Sequence, residues 1–381
     1  MLDRFCETVD GLRRVGVASA RRKRGGSMEM HSEWAKTYKL LDVEQGRDNN
    51  LNLIRFVLSS AVVLSHCYVI LDRFRDEPMQ RTFHFYDLGG IAVLAFFFLS
   101  GFLIFRSALR SDPTNFVRAR ALRIFPALTL AAIACALVLG PLATSLETSE
   151  YLSHSGTYRY LGTSLLFFGT GTLPGVFAGG NVNQPLWTLS SEWVLYMVLM
   201  SVCFWGAQKA KKPMGTSWTV PAVAVALTVV GLYISPLPWG YAVRWFGFAG
   251  IGVLAYVFRR HITLSLPVMV ALVAADAALL LLYPIPGKLL FIPALTYAIL
   301  TIGFHPALRV PLPKLVGDYS YGVYIFAWPF QQLFAAHHTE PLALFWASYS
   351  CALLAAVLSW HLLEKRCLNL KYGRLPTRVP A

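Results

Sequence analysis

Two side chains in one apolar run pose the chemical question. The run Leu51 to Leu71, LNLIRFVLSSAVVLSHCYVIL, carries Arg55 near its start and His66 well inside. It has the length and hydropathy of a membrane-spanning helix. Eleven helical positions make about 16 Å of rise, half the hydrocarbon thickness, so an Arg55 at the membrane surface holds His66 near mid-membrane. An ionisable group at that depth costs several kcal/mol unless it faces a partner or a wet cavity, which marks His66 as a functional candidate. The competing reading is a histidine that hydrogen-bonds two helices together.

The elements that would position these groups follow from the rest of the chain. It is 56% hydrophobic and only 14% charged, with a mean hydropathy of +0.51, far from the one-quarter charge of ordinary soluble domains. Apolar runs at 51–71, 88–106, 121–145, 186–207, 218–234, 240–258, 264–283, 289–304, 318–336 and 342–363 predict an all-α polytopic membrane protein of about ten transmembrane helices. Residues 151–180 are apolar but broken by Gly and Pro, and read as a re-entrant or interfacial stretch, with a further span as the alternative. Residues 1–50 read as a basic, disordered cytoplasmic segment, 51–366 as the membrane domain and 367–381 as a cytoplasmic tail. Of the six cysteines, none forms a C-x-x-C pair and four lie in apolar runs, which argues for small buried residues rather than a disulfide or metal set.

Charge placement orients the chain. With the N-terminus in the cytoplasm, only Arg73, Arg75, Arg81, Arg159, Arg244 and Lys288 of the 34 Lys and Arg fall in outer segments. All the others except Arg55 fall in inner ones, a strong positive-inside signal that puts both termini in the cytoplasm for an even number of spans. The net charge of +14 therefore reflects topology and gives no reason to expect nucleic acid.

Orientation sorts the polar residues into two layers. Arg55, Arg118, Arg120, Arg123, Glu364 and Lys365 lie on the cytoplasmic side, and the basic cluster suits a polyanionic ligand such as a nucleotide or phosphopantetheine carrier. Ordinary positive-inside anchoring explains the same cluster. Glu364, at a helix C-terminus, needs a cation, with Arg55 the first choice and Arg123 the second. The outer layer holds His66, Asp72, Trp187, Ser190 and Glu192, which predicts His66 and Glu192 at similar depth. A carboxylate there would orient the imidazole or simply partner it. Asp276, inside the seventh span, has no assigned role. No metal site, P-loop, G-x-S-x-G or H-E-x-x-H motif is present in the sequence.

Six ordered blocks carry a family resemblance. Arg55 followed by ten residues and His66, FFFLSGFLI at 96–104, RALRIFPA at 120–127, PLWTLSSEWVLY at 185–196, GDYSYGVYI at 317–325 and LSWHLLEK at 358–365 resemble the acyltransferase 3 family of membrane O-acyltransferases of glycans. Ala327 stands where many members have His, Trp193 where many have a second acid, and Arg366 where Pro is usual. The resemblance implies acetyl-CoA, or another acyl-CoA, as co-substrate, with its phosphates on Arg120 and Arg123 and also on Arg118 and Arg55. It implies His66 as base or as covalent acyl carrier, Glu192 beside it, and an oxyanion donor at Ser100–Gly101 or Ser190. Trp187, Tyr196, Ser320, Tyr321, Tyr324 and Glu364 fall in its blocks as supporting residues. The implied setting is the plasma (inner) membrane, with the lipid bilayer, a glycan or lipid-linked saccharide acceptor, and either a homodimer or a glycan-synthesis partner. A transporter or flippase for an anionic or glycan substrate accounts for the spans and the basic mouth, but not for the ordered blocks.

Overall fold

The computed structural model describes residues 34–45, 48–84, 86–166, 171–210, 222, 224–226, 240–311 and 317–370. The basic run at 21–26, the tail beyond 370 and nearly all of the expected span 218–234 lie outside them. In chain order, the long helices among the described residues are α1 (Leu51–Ile70), α2 (Leu88–Ala108), α3 (Pro113–Ala134), α4 (Trp187–Ala210), α5 (Gly240–Val257), α6 (Leu266–Leu282), α7 (Pro284–Phe304), α8 (Ser320–Ala335) and α9 (Pro341–Ser359). Helix α3 runs on through a π-turn, Cys135–Leu139, to Ala143, and α9 through a second, Trp360–Glu364, to Asn369. The all-α class holds.

Among the described residues, six helical stretches are long and apolar enough to cross a membrane: Leu51–Ile70, Leu88–Ala108, Pro113–Ala143, Gln184–Phe204, Gly287–Phe304 and Pro341–Asn369. Trp245–Val257 and Leu266–Leu282 are apolar but shorter, and α8 has 16 residues with Pro329 inside. These helices fit a membrane protein. The 151–180 stretch, where described, contains two helices too short to span, Thr148–Ser153 and Ser155–Leu165. Tyr151, Tyr160, Leu173, Val176 and Val182 from this region bury themselves against Cys135, Ala136 and Leu139.

The described residues fall into two compact units. Those before Leu51 and those from Arg259 to Pro311 form the first; those from Leu51 to Phe258 and from Gly317 onward form the second. In the first, Tyr38–Lys39 (β1) pairs antiparallel with Thr263–Leu264 (β2), the one short sheet among the described residues. Leu40, next to it, is wholly buried, although it lies in the segment read from sequence as disordered. Helices α6 and α7 form a hairpin there, and Asp276 is buried within α6.

In the second unit α2 is central. Its neighbours include α1, α4 and α5, and α8 packs between α1 and α9. The approach of α2 to α5 depends on glycine. A Cβ on Gly101 would lie 1.9 Å from the Ala249 carbonyl oxygen, and one on Gly252 would lie 2.1 Å from the Phe98 carbonyl oxygen. Small residues at such a crossing let two backbones meet. Side-chain caps fix where the helices begin. Asp87 accepts from the Gly90 N–H at the start of α2 (3.1 Å), and Asp112 from the Asn115 N–H at the start of α3 (3.0 Å).

Candidate functional site

The second unit collects most of the flagged residues, starting with a layer of paired charges. Asp318, just before α8, receives two arginines on one oxygen: Arg55 Nη1 at 3.0 Å and Arg123 Nη2 at 2.7 Å. Its other oxygen accepts from Ser320 Oγ at 2.5 Å. Arg123 Nη1 also reaches Glu364 Oε2 at 3.5 Å, and Ser359 Oγ donates to Glu364 Oε1 at 2.9 Å. The Arg123 guanidinium lies over the Tyr321 and Trp360 rings, 5.6 and 5.5 Å from their centroids. The π-turn that ends α9 carries both Trp360 and Glu364 into this contact. The expected Arg55–Glu364 pair is therefore corrected. Asp318 takes Arg55, and Glu364 falls to Arg123, the second choice.

Beside this layer opens a cavity of about 120 Å³. Arg55, Arg120, Ser100, Glu192, Tyr196, Ser320, Tyr321 and Tyr324 supply its polar lining, with Val93, Phe96, Phe97 and Ile104 among the apolar wall. Arg120 stacks over Phe116 and Tyr196, at 5.5 Å from each ring centroid. Its Nε has no hydrogen-bond partner, and among the described residues Arg120 enters no ion pair. In the same lining, Glu192 Oε1 accepts from the Tyr196 hydroxyl and from Ser100 Oγ, the latter at 3.3 Å. The Tyr324 and Thr188 hydroxyls are 2.7 Å apart. The lining positions on α2 run from Val93 to Ile104, about 16 Å of helix rise. The arrangement offers an anionic ligand two guanidinium groups and an extended ligand a partly apolar wall.

His66 lies further along α1. Its ring meets Trp328 edge to face, with centroids 4.9 Å apart and planes at 84°. Trp328 is one helical turn beyond cavity-lining Tyr324. Ser65 Oγ donates to Asp87 Oδ2 at 2.6 Å, which ties the turn bearing His66 to the start of α2.

Glu192 is not at that level. Sequence reasoning places α4 at the outer face and so sets Glu192 beside His66. Here the chain entering α4 is anchored partway along α8: Asn183 Nδ2 donates to the Ile325 carbonyl at 2.8 Å and Trp328 Nε1 to the Asn181 carbonyl at 3.2 Å. Glu192 then meets the arginine layer through Tyr196, whose hydroxyl it accepts and whose ring lies under Arg120.

The remaining flagged residues divide. Ser100, Tyr196, Ser320, Tyr321 and Tyr324 line the cavity, and the Tyr321 hydroxyl is held by the Ile124 carbonyl at 2.9 Å. Arg118, Arg123, Gly101, Trp187 and Ser190 do not line it. Arg118 donates to the Leu370 carbonyl (3.0 Å), Trp187 stacks on Trp245 (centroids 4.2 Å apart), and Gly101 is spent on the contact with α5. Among the described residues no three His, Cys, Asp or Glu gather as a metal site would. Sequence reasoning does not single out Asp318 or Asp87. Both sit just before a helix start, where an acidic residue reads as a cap.

Helices apolar enough for a membrane thus carry a charged layer with a mixed polar and apolar cavity beside it. The chain belongs to the acyltransferase 3 family: the family's acyltransferase-domain model matches residues 48–363. It is 31% identical over 349 residues to an O-acetyl transferase of Shigella phage Sf6, covering 85% of this chain and 97% of that protein. It is 30% identical over 183 residues to the acyltransferase MdmB of Streptomyces mycarofaciens, covering 47% of this chain and 45% of that one. No solved structure gives a significant match.

Proposed function

We propose that the chain is a membrane O-acetyltransferase that moves an acyl group from acetyl-CoA, or a related acyl-CoA, to a hydroxyl of a surface or exported glycan. The observation that carries this reading is the cavity. It has Arg55 and Arg120 at its charged end, and its wall on α8 ends one turn from the tryptophan on which His66 rests. Similarity to the phage O-acetyl transferase supports the acetyl group.

In this reading the donor enters from the cytoplasm and sets its phosphates against Arg120 and Arg55, with Arg118 nearer the mouth. Arg123 contributes through Asp318. The pantetheine arm follows the wall of Phe96 and Phe97 toward the outer level. There His66 takes the proton of the acceptor hydroxyl as its oxygen attacks the thioester carbon. The carbon–sulfur bond breaks, the thiolate leaves, and the proton held on the imidazole returns to it. Glu192, with Ser100 and Tyr196, fixes the arm of the donor, while Asp87 faces the imidazolium. Ten crossings, cytoplasmic termini and an inner-membrane location, with residues 51–366 as the catalytic domain and a lipid-linked saccharide as acceptor form, complete the proposal.

The test is transfer of radiolabelled acetyl from acetyl-CoA to a glycan by purified protein. His66→Ala is expected to abolish transfer while the protein still inserts and binds CoA. Normal turnover in that variant would remove His66 from the chemistry.

A further inference from the structure

We infer that Asp318 is a positioning residue that keeps the cavity open by holding Arg55 away from Glu192. The inference rests on the donor-cavity reading for its consequence, but on geometry for its content.

Arg55 lines the cavity and, among the described residues, is tied at one end only, through Nη1 to Asp318. Glu192 lines the same cavity, and its charge acts on Arg55 without an ion pair between them. A guanidinium in a half-buried layer takes whichever carboxylate is presented in bidentate or charge-assisted reach. Asp318 is the carboxylate that pairs with Arg55, while Glu192 is occupied by the Tyr196 and Ser100 hydroxyls, and Asp318 is itself held in place. Ser320 Oγ fixes one oxygen at 2.5 Å and Arg123 Nη2 fixes the other at 2.7 Å. Arg123 is in turn clamped between Tyr321, Trp360 and Glu364. The chain on both sides of Asp318 is packed as well: a Cβ on Gly317 would lie 2.1 Å from Trp360 Nε1, and the Tyr319 hydroxyl meets His361 Nε2 at 3.0 Å. Asp318, Arg123, Trp360 and Glu364 thus stand outside the cavity lining and act on a side chain inside it. Without the Asp318 charge, Glu192 is the carboxylate left to Arg55 among those lining the cavity, and the pair would cross the space a donor needs.

The experiment reads cavity access directly. Leu103 lines the cavity and belongs to none of the polar contacts, so a Leu103→Cys variant of the full chain in detergent reports access to a cationic methanethiosulfonate reagent, with the parent protein as background. Adding Asp318→Asn is expected to slow labelling at least fivefold, and adding Glu192→Gln to that protein is expected to restore it. An unchanged or faster rate in Asp318→Asn, or no recovery with Glu192→Gln, overturns the inference. Should Asp318→Asn fail to fold, Glu192→Gln alone decides: labelling within twofold of Leu103→Cys supports an Arg55 already held by Asp318, and a rise above fivefold refutes it. Protection of Leu103→Cys by free CoA is a separate arm. Its absence sinks the donor assignment and leaves the labelling contrast to judge Asp318.

Discussion

Arg120 and Arg123 stand one helical turn apart on α3 and carry the same charge, yet their alanine variants are expected to fail in different ways. Arg123 is the buried centre of a network, with 15% of its side chain exposed against 12% for Asp318 and 2% for Glu364. At a charge separation of about 4 Å and an effective dielectric constant of about 20, one such pair is worth roughly 4 kcal/mol. Removing one partner also strands the other's desolvated charge. Asp318 keeps Arg55 and Ser320, and Glu364 keeps Ser359, which offsets part of the loss. The guanidinium's stacking on Tyr321 and Trp360 goes with it. The net expectation for Arg123→Ala is about 2–4 kcal/mol of destabilisation. Arg120 has no ion pair to break, only its stacking on Phe116 and Tyr196. Arg120→Ala should instead remove a charge-assisted contact to the donor, about 1.5–3 kcal/mol, or roughly ten- to hundredfold in affinity. The assay measures CoA binding by calorimetry and apparent Tm in one detergent. A large Tm loss with intact affinity in Arg120→Ala, and the converse in Arg123→Ala, would refute the division of labour between them.

Three further outcomes rest on the same packing and pairing. Gly101→Ala must open the α2–α5 contact from 1.9 Å toward the 3.4 Å of ordinary packing; it should cost about 1–3 kcal/mol as an overpacked crossing, and an unchanged Tm would show that the helices have room to part. Gly317→Ala drives a methyl into Trp360 and should lower both Tm and Leu103→Cys labelling, since it shifts the backbone that aims Asp318; normal labelling would separate the two residues. Exchanging charges between Arg55 and Glu364 should not recover activity lost in either single variant, because the partners are Asp318 and Arg123; recovery in the double exchange would restore the direct pair.

The sequence carried the membrane character and most of the cavity, because both are written in local pattern. Runs of apolar residues mark helices without help from tertiary contacts, and Ser100, Glu192, Tyr196, Ser320, Tyr321 and Tyr324 each fall inside a short recognisable block. Depth was harder. Counting residues from a span boundary assumes that every helix begins at a membrane face, and says nothing of where its neighbours hold its first turn. The approach to α4 is hung from α8 by Asn183 and Trp328, a pairing between segments far apart in the chain that no periodicity announces. Partner choice failed for a related reason. Depth alone offered Arg55 to Glu364, but Asp318 and Glu364 both reach Arg123, and it is Asp318 that takes Arg55.

Asp318 was nonetheless within reach of the same argument. A span running outward from residue 318 puts an acidic residue at its inner end, in the layer that already held Arg55 and Arg123, and a layer so basic needs internal anions before it can be half buried. Charge balance then says what such a layer can bind. Asp318 and Glu364 satisfy Arg123 and one end of Arg55, while Glu192, in the same lining as Arg120, is held by Tyr196 and Ser100. What remains for a ligand is the free end of Arg55 and the whole of Arg120, enough to orient one or two phosphate oxygens but not to hold a polyanion. Tight binding of a multiply charged donor would then need the cations at the mouth, such as Arg118, and the cavity itself would select for the neutral arm that follows the phosphates inward.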